Sequence, residues 1–93
     1  MIHPIKLKKF YIIEDCEIQS GDNIIADDNS YTSDLHKAML FNTYDEAQHF
    51  IYDVNPYYDA IVKELYEVAF GIDIRYFYYE DFKQFLIDLA NEI

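Results

Sequence analysis

The most constraining stretch of this chain is a helix whose two ends are both marked by its residues. Thr43-Tyr44-Asp45-Glu46 forms a capping box, with Thr43 as the N-cap and Glu46 placed to return the hydrogen bond. Ala47, Phe50, Ile51 and Val54 follow at i, i+3, i+4 and i+7, the spacing of one helical face. Asp45 and Glu46 stand in the first turn, where negative charge suits the helix dipole. Asn55-Pro56 ends the element, because a residue before proline avoids the α region. The flanking segments must therefore be read separately from it.

On the N-terminal side, residues 8–19 are rich in β-branched and aromatic types, which predicts a strand over 9–18. Ser20-Gly21-Asp22-Asn23 is a turn, Ile24 to Ala26 a short returning strand, and Asp27-Asp28-Asn29-Ser30 a second break. Residues 35–41 read as another strand, with a helical turn as the alternative because Leu, Ala and Met favour helix.

On the C-terminal side, Asn55 can cap and Pro56 can open a second helix. Tyr58, Ile61, Val62, Leu65 and Ala69 line one face of a helix over 56–70, and adjacent Lys63 and Glu64 break the alternation a strand needs. Gly71 then sits where a C′ glycine belongs. Residues 72–78 read as a strand. Phe82, Phe85, Leu86, Leu89 and Ile93 share a helical face, which predicts a last helix over about 79–92. The order implies an α+β fold, a small, mostly antiparallel sheet with about three helices packed on one face. Such a sheet leaves its other face to water. With 93 residues the chain is expected to be a single compact acidic domain, 1–93.

Composition narrows the function. There are 18 Asp plus Glu against 7 Lys plus Arg, a formal net charge of -11. Direct nucleic-acid binding through phosphate neutralisation is therefore not expected, nor is binding to an anionic membrane surface. Aromatics make up 18 %, too many for an acidic disordered chain. The single cysteine, Cys16, cannot form an internal disulfide, and no signal peptide or membrane-length apolar run is evident, so a bacterial cytoplasmic location is expected.

No catalytic, cofactor or metal site is predicted. The P-loop, GxGxxG, GxSxG and HExxH patterns are absent, and two glycines cannot build a phosphate cradle. Cys16 lies among Glu14, Asp15 and Glu17, which oppose thiolate formation, so it is expected as a buried or half-buried strand residue. Asp45 and His49 stand at i, i+4 but supply only two ligands of mixed type. The loop from Asp22 to Asp34 has neither the spacing nor the glutamate of an EF-hand. Adjacent carboxylates such as Asp27-Asp28 point apart on a strand or helix and make no ready acid–base couple.

The distribution of charge is more informative. Between residues 10 and 36 there is no Lys or Arg, but there are seven acids, Glu14, Asp15, Glu17, Asp22, Asp27, Asp28 and Asp34. So much like charge in a small fold works against compactness. It can serve solubility, or it can attract a cationic cleft and speed association with it. A cleft built for phosphates is the natural target. The expected partner-binding residues are Glu14, Asp15, Glu17, Asp22, Asp27 and Asp28, and the ten tyrosines could add interface anchors.

A short, acidic, Tyr/Ile/Asn/Asp-rich chain without catalytic motifs resembles the small early proteins of phages of low-GC bacteria. These include anti-CRISPR proteins, DNA-mimicking inhibitors of restriction enzymes and inhibitors of uracil-DNA glycosylase. The string from Ala38 to Ala47, A-x-x-F ahead of T-x-x-E-A, looks like a strand-to-helix junction recurrent in such proteins. The resemblance implies a non-enzymatic, stoichiometric inhibitor. Its partner would be a basic nucleic-acid-binding protein such as a Cas effector or nuclease, whose PAM-reading groove an acidic face could occupy. The alternatives are an immunity protein that neutralises a basic toxin nuclease, a small phage regulatory or interaction module, and an oligomerising module.

Overall fold

The computed structural model describes residues 5–18, 21–54 and 59–92. The elements are β1 (Ile5–Asp15), β2 (Ile24–Ile25), β3 (Tyr31–Thr32), a 3-10 turn (Leu35–Lys37), α1 (Tyr44–Val54), β4 (Ala60–Phe70), β5 (Asp73–Tyr78) and α2 (Tyr79–Asn91). One five-stranded sheet in the order β3-β2-β1-β4-β5 joins all the strands, and every pairing is antiparallel. The α+β class, the antiparallel sheet and the helices on one face are as the sequence predicts.

Three elements differ from expectation, one being β3 (Tyr31–Thr32), a strand where the sequence predicts no element. The segment 56–70 is not a helix. Ala60 to Phe70 form β4, an inner strand between β1 and β5, while Asn55, Pro56 and Tyr58 lie outside the described residues. Lys63 and Glu64, which break the alternation of a strand in the sequence, point to opposite faces and each meets a partner on β1. Lys63 Nζ lies 3.1 Å from Glu14 Oε2, and Glu64 Oε1 lies 3.0 Å from Lys9 Nζ. Gly71 does take a positive φ of 62°, but as part of the tight turn between β4 and β5. The segment 35–41 is not a continuous strand, and the helical turn given as its alternative is present over Leu35–Lys37. Asp34 accepts a hydrogen bond from the His36 N–H and starts a single 3-10 turn, after which only Ala38 and Phe41 make isolated bridges, to Ala26 and Tyr11. The α-helices therefore number two among the described residues.

Register assigns the faces, because residues directly opposite share one. Tyr11, Ile13, Val62, Tyr66, Phe70 and Phe77 lie on the helix face. There α1 presents Ala47 and Ile51, both buried, to Ile13 and Ile25. Further along, α2 lays Phe82 on Tyr66 (4.7 Å between ring centroids) and Phe85 on Phe77 (4.9 Å). On the other face Ile12 and Leu65 are fully buried beneath Leu35, Ala38 and Leu40 of the 35–40 segment, with Tyr76 and Tyr78 of β5 packed beside them. The rest of that face carries exposed Lys6, Lys8 and Ile74. β1 begins and ends earlier than predicted. Its end is set by Asp15, whose carboxylate accepts the Glu17 N–H (3.0 Å) and turns the chain.

Candidate acidic interface

The acidic end of the sheet is built around Asp15. Its N–H donates to the Asn23 carbonyl (2.8 Å), and its carboxylate accepts from the Tyr31 hydroxyl (3.0 Å) as well as from Glu17. The Cys16 N–H donates to the Asp59 carbonyl (2.7 Å), which joins this turn to the start of β4. Glu14, Asp15, Glu17 and Asp59 are thereby gathered at one end, and Asp22 stands beside Asn23 at the same place. Asp59 is the member that sequence reasoning misses. It is distant in the chain, and only the pairing of Asp15 with Ala60 brings it in.

The six predicted contact residues do not form one surface. Asp15 is 3 % exposed, so its carboxylate is a structural acceptor. Glu14 is half-buried and ion-paired with Lys63. Glu17 and Asp22 are exposed at the acidic end. Asp27 and Asp28 are exposed in a separate turn, closed by Ala26 N–H to Ser30 carbonyl (2.9 Å) and by Asn29 at φ 65°. There the Ser30 hydroxyl and N–H both donate to Asp28 and hold its carboxyl below the usual range. This turn borders an open cavity of about 440 Å³ that also meets Tyr31, His36 and Lys37, so its charge is mixed.

Folding leaves the negative charge largely uncompensated. Fourteen of the eighteen carboxylates are exposed, and only three, those of Glu14, Glu64 and Asp73, lie in ion pairs among the described residues. The outward faces of the helices add Asp45, Glu46 and Asp53 on α1 and Glu80, Asp81, Asp88 and Glu92 at or near α2.

Cys16 is exposed in the turn, not packed in a strand as expected. Partial desolvation of the sulfur and the carboxylates of Asp59, Glu14 and Asp15 push its thiol up, which disfavours the thiolate. Among the described residues no group of three or more His, Cys, Asp or Glu side chains is arranged to hold a metal ion, and no helix is long and apolar enough to cross a membrane. His49 is exposed on α1, and His3 lies outside the described residues. Comparison with protein-family models, with curated proteins and with solved structures returns no match.

Proposed function

We propose that this chain is a stoichiometric, non-enzymatic inhibitor of a nucleic-acid-handling bacterial defence protein, such as a Cas effector or a nuclease, acting in the host cytoplasm. Its acidic surface occupies a cationic cleft made for DNA, guide RNA or the PAM, in the manner of the anti-CRISPR and DNA-mimic proteins it resembles. The observation that carries this reading is that fourteen carboxylates are exposed and, of these, only Asp73 lies in an ion pair among the described residues, so the surface keeps its field after folding. Glu17, Asp22 and Asp59 at the end of β1 are the leading contacts, with Asp27 and Asp28 flanking them, while Asp15 acts from beneath by fixing the turn.

The test is a charge-neutral variant, Glu17→Gln with Asp22→Asn and Asp59→Asn, assayed for inhibition of a guide-loaded Cas effector cutting its target. The account predicts at least about tenfold weaker inhibition with the fold intact, since each charged contact to a cationic cleft is worth about 1–3 kcal/mol. Unchanged inhibition by this variant rejects these residues as the interface.

A further inference from the structure

One edge of the sheet has the opposite character from the rest of the molecule. Tyr11 donates to the Phe41 carbonyl (2.8 Å) and accepts from the Phe41 N–H (2.9 Å), on the side of β1 away from β4. Alternation turns the N–H and C=O groups of Lys9 and Leu7 to that same side, where no backbone partner meets them among the described residues. Among the described residues the segments that cover this edge stop at Tyr11.

Charge and apolar surface are sorted around this opening. The described part of β1 ahead of Glu14 carries Lys6, Lys8 and Lys9 and no acid. Lys6 and Lys8 stand exposed on the open face without an ion pair among the described residues, and Lys9 stands on the helix face with Glu64. On α2, Tyr79, Lys83 and Leu86 at i, i+4 and i+7 share one flank, whereas Asp81, Asp88 and Glu92 share the opposite one. The first flank turns toward β4, where the Tyr79 ring lies 6.2 Å from Tyr66, while Phe85 packs between Phe77 of β5 (4.9 Å) and Phe70 of β4 (5.7 Å). On this side Leu7 is 56 % and Leu86 47 % exposed.

We infer that the free edge of β1 takes up an extended segment of a partner protein, by strand addition, in which apolar and acidic residues alternate. Its backbone pairs with Leu7 and Lys9. Its apolar side chains fall on the helix face against Leu7 and Leu86, and its carboxylates fall on the open face beside Lys6 and Lys8. A second copy joined edge to edge would place lysines against lysines, which makes it the wrong occupant. Lysines on a free edge commonly serve to repel other strands, and an acidic strand is the kind they would not repel.

The probe is a capped peptide of about ten alternating Val and Glu residues, compared with the same peptide N-methylated at every second residue. Binding is followed by calorimetry and by amide hydrogen exchange. The expected result is binding of the unmodified peptide, slowed exchange at Leu7 and Lys9, and a loss of about tenfold or more on N-methylation. Lys6→Glu with Lys8→Glu, both at exposed positions, should weaken binding by a similar factor. Equal binding of the N-methylated peptide, unchanged exchange at Leu7 and Lys9, or a dimer in light scattering that occupies this edge would each overturn the inference.

Discussion

At the scale of single residues, neighbouring carboxylates have unlike roles. Asp15 and Asp22 look alike in the sequence, but Asp15 is buried and satisfies Glu17 and Tyr31 while Asp22 is exposed. Asp15→Ala would remove the acceptor of the Glu17 N–H and should cost about 1–3 kcal/mol in urea unfolding. Asp22→Asn should stay within about 0.5 kcal/mol of the parent. Tyr76 offers a second residue-level test. Burial, and its hydrogen bond to Glu67 (2.8 Å), push its hydroxyl up from 10.0 to about 12. The folded state thus holds this proton more tightly than the unfolded chain. The resulting stability is present below pH 10 and is lost as the pH rises through about 12. Tyrosinate absorbance should show a step near pH 12 that Tyr76→Phe removes. Burial raises Tyr66 and Tyr78 in the same direction.

At the scale of elements, legibility followed how far each element's contacts are local. The predicted helix over 43–54 is present as α1 because its signals sit within a single turn. The Glu46 N–H donates to Thr43 Oγ1 (3.1 Å), although the Glu46 carboxylate returns to the Asn42 N–H (3.2 Å) and not to Thr43 itself. Thr43→Ala should cost about 1 kcal/mol by thermal or chemical denaturation. The strand read over 72–78 and the helix read over about 79–92 are present as β5 and α2. β4 was not, because the partners of Lys63 and Glu64 stand on β1, some fifty residues away by register. Its open face is also only partly covered, so Ile61 and Lys63 do not show the burial contrast a periodic pattern needs. Gly71 was read for the right conformation in the wrong element, since a helix C′ and a tight hairpin both use positive φ. Gly71→Ala should destabilise by about 1 kcal/mol through the backbone alone, because no atom lies within 4 Å of the added carbon.

At the scale of the whole molecule, the described residues form a long body, 49 × 24 × 19 Å, with an acidic end near Asp15 and exposed lysines toward the β4–β5 turn. The surplus charge was legible from composition. That it splits between the end of β1 and the turn at Asp27 and Asp28 was not, since this depends on strand register. Self-repulsion among the exposed carboxylates should be relieved by screening, so the melting temperature should rise between low salt and about 0.5 M NaCl. Binding should respond in the opposite sense. The measurement that bears most directly on the account is displacement of labelled target DNA from a guide-loaded Cas effector by this protein, followed by fluorescence anisotropy across a salt series. The account predicts displacement at a defined stoichiometry with affinity that falls steeply as salt is added, whereas no displacement, or displacement indifferent to salt, would contradict it.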